Sequence, residues 1–157
     1  MWTCPKCEQK FVYQNAMHSC GDKSVDDFLQ GKTAHTIELF HHFLDEYRKI
    51  GDFVLHPAKS MISLAAQIRF AFIVRFGKGF LDVVFKFHEP NEENLCFYKI
   101  AQIPGSNNFN HYVRFESKED LNDDIKSDYN TLITNLNNSK TKAIDENKDY
   151  LLELLTE

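Results

Sequence analysis

The middle of the chain alternates in steps of two. In Ile68-Arg-Phe-Ala-Phe-Ile-Val-Arg-Phe76, the apolar residues Ile68, Phe70, Phe72, Val74 and Phe76 share one parity, while Arg69 and Arg75 fall on the other. This is the pattern of a strand with one buried face. Gly77-Lys-Gly79 supplies a tight turn, and Phe80–His88 returns with Leu81, Val83, Phe85 and Phe87 set against Asp82, Lys86 and His88. The two runs predict a hairpin. Further strands are expected over 52–56, 95–103 and 111–116, with Pro104-Gly-Ser-Asn-Asn as the loop between the last two.

On either side the period changes to 3.6. Ser24-Val-Asp-Asp27 has the form of a helix start, with a hydroxyl at the cap and carboxylates in the first turn, and Gly31 ends the short helix. From Thr33 to Ile50 the stripe Ile37, Phe40, Leu44 and Tyr47, flanked by Phe43 and Ile50, predicts an amphipathic helix stopped by Gly51. Ser117-Lys-Glu-Asp120 repeats the cap signal before a stripe of Leu121, Ile125, Tyr129, Leu132 and Leu136. A last helix is expected over 141–155, carrying Ile144, Leu151 and Leu155. Strands in the middle with helices at the ends make an α+β chain. Its expected organisation is a small module over 1–22, an α+β domain over 23–136 and a helical extension over 137–157.

Length and composition narrow the picture. The chain has 157 residues, enough for one main domain and an appendage, and 43% of them are hydrophobic, including 14 Phe. No apolar run approaches the ~18 residues of a membrane span, and no basic stretch followed by an apolar one opens the chain. A cytoplasmic, reducing setting is expected, without membrane attachment. The net charge is −5, and residues 117–157, with five Lys/Arg against ten Asp/Glu, account for it. Residues 53–88 instead hold five basic residues and one acidic one, Asp82. That balance argues against a strong nucleic-acid binder and leaves room for a weak, local one.

Three of the four cysteines lie in the first twenty residues, as Cys4-Pro-Lys-Cys7 and Cys20, with His18 beside the last. In a reducing compartment clustered cysteines point to metal before disulfides. Cys4, Cys7, His18 and Cys20 supply three thiolates and an imidazole, the ligand set of a tetrahedral zinc ion. Four protein ligands leave no open position, so the site reads as structural. A loop this small has no core of its own, and metal binding would have to supply its folding energy. Trp2, Phe11 and Tyr13 are the residues expected to pack over the ion or against the main domain. Glu8 stands where such a turn often carries Gly.

Trp2–Cys7, His18-Ser-Cys20 and Phe28-Leu-Gln-Gly-Lys32 together resemble an uncharacterised bacterial family, domain of unknown function 5655. The likeness continues through His56-Pro-Ala-Lys59, the Phe-rich hairpin, His111-Tyr-Val-Arg-Phe115 and Glu119-Asp-Leu121, to about Leu136. The resemblance implies a fold similar to small α+β domains of the YdhG and YjbR type, with a curved antiparallel sheet of about four to five strands backed by helices. Fusion of relatives to nuclease-like modules implies a supporting role near nucleic acid.

Elsewhere His56, Lys59, Arg69, His111 and Arg114 are expected on the exposed sheet face. If they converge, they form a cationic patch for phosphate or carboxylate, with Tyr98 or Tyr112 available for stacking. The alternative is that they are ordinary solvent-facing strand residues. On the 33–50 helix, His41 is expected to border the apolar stripe and His42 to face solvent, which separates them as metal ligands. Cys96 reads as a small buried hydrophobe in a strand. The sequence holds no phosphate-binding glycine loop, nucleophile elbow or His-Glu-x-x-His helix. These readings favour a non-enzymatic zinc-containing binding or accessory protein whose partner is a protein or, weakly, nucleic acid. The competing reading is a small-ligand receptor or enzyme with a pocket around His56, Lys59, Arg69 and His111. Neither names the partner or the oligomeric state.

Overall fold

The computed structural model describes residues 1–18, 20–21, 23–66, 68–128 and 130. The chain divides into one compact unit, Met1–Asn122, and a second that begins at Asp123. In the second unit residues 123–128 are helical. The extension expected over 137–157, with its helix over 141–155, lies outside the described residues.

The first unit opens with two short antiparallel strands, β1 (Trp2–Thr3) and β2 (Lys10–Phe11). Two helices follow, α1 (Val25–Leu29) and α2 (Ala34–Arg48). The remaining strands are β3 (Val54–Pro57), β4 (Ile62–Ala65), β5 (Arg69–Phe76), β6 (Leu81–Phe87), β7 (Lys99–Gln102) and β8 (Phe109–Phe115). These six form one antiparallel sheet in the order β3-β4-β5-β6-β8-β7. The architecture is thus α+β, with one strand more than the pattern predicts. The extra strand is β4, whose four residues Ile62-Ser-Leu-Ala65 are all buried. A strand covered on both faces reads as a continuous run and shows no alternation to detect.

The helix starts follow their capping chemistry. Ser24 and Asp27 exchange bonds, the Asp27 N–H donating to Ser24 Oγ at 3.2 Å and the Ser24 N–H to Asp27 Oδ2 at 2.8 Å. Thr33 Oγ1 accepts from the Thr36 N–H at 3.2 Å to open α2. The buried Thr36 hydroxyl then donates to Gly77 O at 2.8 Å and accepts from the Gly79 N–H at 2.9 Å. This fastens the β5–β6 turn to the helix start. A Cβ at Gly77 would collide with the Phe80 ring, so any other residue there must displace that ring.

The core lies between α2 and one face of the sheet. Phe43 packs on Phe85 and Phe115 with ring centroids 6.3 and 5.7 Å apart, and Tyr47 packs on Phe70 and Phe85 at 6.4 and 5.8 Å. The buried stripe includes Leu39 and Phe43, which turns it toward His42. His42 is half-buried and His41 exposed, the reverse of the sequence expectation.

Two β-bulges change which β5 residues reach that core. The pairing of β4 with β5 slips between Leu64 and Ala65, and that of β5 with β6 slips between Ile73 and Arg75. Each bulge adds a residue without a partner and so shifts the alternation by one. Phe70 and Phe76 are buried as predicted, but between the bulges Ala71 and Ile73 take the core positions. Phe72 and Val74 turn to the opposite, open face, where they are only partly covered.

Candidate metal centre

The β1–β2 ribbon fixes the first two cysteines. Its connection is closed by the Cys4 N–H donating to Gln9 O and the Glu8 N–H donating to Cys4 O, both at 2.9 Å. Glu8 takes the left-handed backbone that glycine would adopt freely, with φ 59°. An ordinary residue pays about 1–2 kcal/mol there.

The side chains of Cys4, Cys7, His18 and Cys20 come together, with their ligand atoms within 4.8 Å of one another. The sulfurs of Cys4 and Cys20 are 3.8 Å apart, and Cys7 Sγ lies 3.3 Å from His18 Nε2. Two sulfurs bound tetrahedrally at about 2.3 Å from one ion stand roughly 3.8 Å apart, and a sulfur and an imidazole nitrogen roughly 3.6 Å. The cluster therefore has the dimensions of a four-donor metal site. The same sulfur separation is far longer than a disulfide, about 2.05 Å.

The second layer sets each donor. His18 Nδ1 donates to Ala16 O at 2.7 Å, which directs Nε2 at the sulfurs, and this carbonyl raises the imidazole's proton affinity. Backbone N–H groups of Cys7 and then Lys6 hold the Cys4 thiol down to about 6. Desolvation, followed by the neighbouring Cys7 and Cys4 thiols, pushes Cys20 up to about 11. The cluster thus accepts its first negative charge readily and resists its last, and a cation at the centre removes that resistance.

The cluster is joined to the sheet by a stack of rings. Phe11 is 1% exposed, with its centroid 4.2 Å from His18 and 4.3 Å from His56 on β3, and Trp2 covers it at 5.7 Å. His56 Nε2 donates to Lys10 O at 2.9 Å, while its buried Nδ1 has no hydrogen-bond partner among the described residues. Burial holds this imidazole below its usual range. Tyr13 is largely exposed.

The five residues expected on an open cationic patch are dispersed. His56 belongs to the stack just described. His111 is fully buried, donating from Nδ1 to Phe109 O and accepting from the Asn91 N–H at Nε2, each at 3.0 Å, between the rings of Phe87 and Phe97. It shares the core parity of β8 with Val113 and Phe115. Arg114 makes a bidentate pair with the buried Asp82 at 2.8 and 2.9 Å and lies over Phe80 at 4.0 Å. Lys59 and Arg69 are exposed, Lys59 beyond the end of β3 and Arg69 at the start of β5. Cys96 sits in a turn before β7, half-buried, and accepts from Asn122 Nδ2 at 3.2 Å.

A feature the sequence pattern missed lies on the open sheet face. There Phe72, Val74, Val84 and Ile103 surround a groove of about 490 Å³ that also holds Lys86 and Asn110. The bulges in β5 create it, and alternation alone gives no sign of them.

Residues 25–127 match the family model described as Domain of unknown function (DUF5655). The matched segment holds the six-stranded sheet and begins beyond all four candidate donors. No curated protein and no solved structure matches the chain.

Proposed function

We propose, proceeding from the fact that this chain belongs to the family described as Domain of unknown function (DUF5655), that it is a non-enzymatic binding protein whose N-terminal knuckle holds a structural zinc ion. The observation that carries this reading is the four-donor cluster of Cys4, Cys7, His18 and Cys20, whose ligand atoms lie within 4.8 Å of one another, close enough to share one ion. Three thiolates and an imidazole favour zinc over hard cations. With all four positions taken by protein, the ion has no place for substrate or activated water. Its role is to fold the loop and, through Phe11 and His56, to fix it against β3. Free thiols at metal spacing suit a reducing, cytoplasmic compartment.

The binding surface is the open sheet face. Support for a polyanion partner is limited, because two of the five expected patch residues are buried and Arg114 is engaged by Asp82. Protein purified without added zinc is expected to carry about one equivalent by elemental analysis, and none after Cys4→Ser with Cys7→Ser. Metal-free protein with all four donors intact, or iron in place of zinc, overturns the assignment.

A further inference from the structure

We infer that the groove on the open sheet face binds a small carboxylate with an apolar body, its charged end held by Lys86. This deepens the binding role proposed above and rests on it. The groove's size, about 490 Å³, falls within the range of small-molecule sites, and its walls are mostly apolar. Phe72 and Val84 are register partners across β5 and β6, and Val84 pairs in turn with Tyr112 on β8, so these side chains form a continuous strip.

The polar contribution is narrow. Lys86 and Asn110 are also cross-strand partners, which places an ammonium and an amide side by side at the groove. Lys86 is half-buried, and among the described residues neither it nor the Asn110 side chain has an ion-pair or hydrogen-bond partner. Three other cations of this face are engaged, and Arg69, at the far end of β5, does not line the groove. Arg114 holds Asp82, Lys99 lies over Tyr112 at 5.0 Å, and Arg75 lies over Phe80 at 5.3 Å. A half-buried ammonium beside apolar walls interacts with an anion more strongly than a surface lysine does.

The size of the anion follows from the lining of the groove. Among the described residues Lys86 is the one cation that lines the groove, which suits a single negative charge and gives an extended polyanion no row of partners. A single carboxylate that can seat its apolar portion against Phe72, Val74, Val84 and Ile103 gains from both halves of the groove.

The test is calorimetric titration of the full-length, metal-replete protein with decanoate, decan-1-ol and a single-stranded DNA oligonucleotide. Decanoate is expected to bind with one-to-one stoichiometry and about tenfold or more tighter than the alcohol, the size of one charge-assisted contact. Lys86→Met keeps the apolar stem, so it should remove that preference while leaving decanol binding unchanged. Ile103→Trp narrows the groove and should weaken both ligands. Circular dichroism and zinc content establish that each variant is folded. Equal binding of acid and alcohol, a preference that survives Lys86→Met, no binding of decanoate, or salt-dependent binding of the oligonucleotide in its place each overturns the inference. Bound zinc with no decanoate binding removes this inference alone, whereas decanoate binding without zinc removes only the metal assignment.

Discussion

Replacing Phe11 by alanine separates two ways in which the knuckle and the sheet can be related. The ring is 1% exposed and contacts a candidate metal ligand on one side and a β3 side chain on the other. Truncating a buried phenylalanine costs about 3–5 kcal/mol. A loop of this length has little else to bury, so most of that loss should appear in metal binding rather than in the sheet. Taking about 3 kcal/mol, the zinc dissociation constant rises roughly a hundredfold. Competition with a chromophoric chelator measures it directly, and thermal unfolding of the chelated wild-type and variant chains supplies the sheet's own stability. Phe11→Leu, which keeps most of the buried area, should lose much less affinity. Zinc affinity in Phe11→Ala within about threefold of wild type would refute the argument, because the knuckle would then fold without help from the stack.

Two further outcomes follow from other sites. Arg114→Met leaves the Asp82 carboxylate, 7% exposed, without its guanidinium. Orphaning a buried charge costs about 3–5 kcal/mol, and because Arg114 itself is partly solvated the loss in urea unfolding should be nearer about 2 kcal/mol. Adding Asp82→Asn to that variant should recover part of it, and a single-variant loss below about 0.5 kcal/mol would show the pair to be idle. Asp27 is held below its ordinary value of 3.8, first by the Ser24 backbone N–H and then by its hydroxyl. Its contribution to the α1 cap is therefore complete above pH 3.8 and disappears as the pH falls through the lower folded value. The Ser24 amide resonance should report that transition, and Asp27→Asn should abolish it. A midpoint at or above 3.8 would contradict the assigned cause.

What could be read directly from the sequence was local chemistry. Cys4, Cys7, His18 and Cys20 announce their relation through residue type and short spacing, and the fold brings them within 4.8 Å. The α1 and α2 caps and the β5–β6 hairpin likewise depend on neighbours in sequence. The open face depends on register between distant segments, and there the pattern misled. Two unpaired residues in β5 moved Phe72 and Val74 out of the core, and β4 was invisible because all of it is covered. His56 and His111 read as polar surface because burial of a histidine is decided by partners far along the chain. Those partners are the Lys10 carbonyl, 46 residues away, and the Asn91 amide, 20 residues away. Arg114 kept its predicted exposure but had already been claimed by Asp82.

The knuckle leans on His56 of β3, one of the two edge strands of the sheet. Unguarded outer strands invite pairing with other chains, and proteins commonly shield them. If the four-donor cluster holds its proposed ion, the segment beside this edge is itself folded by metal. Losing that ion would then do more than loosen a short loop: it would free the Phe11 ring from His56 beside one margin of the sheet, tying the chain's tendency to clump to metal supply.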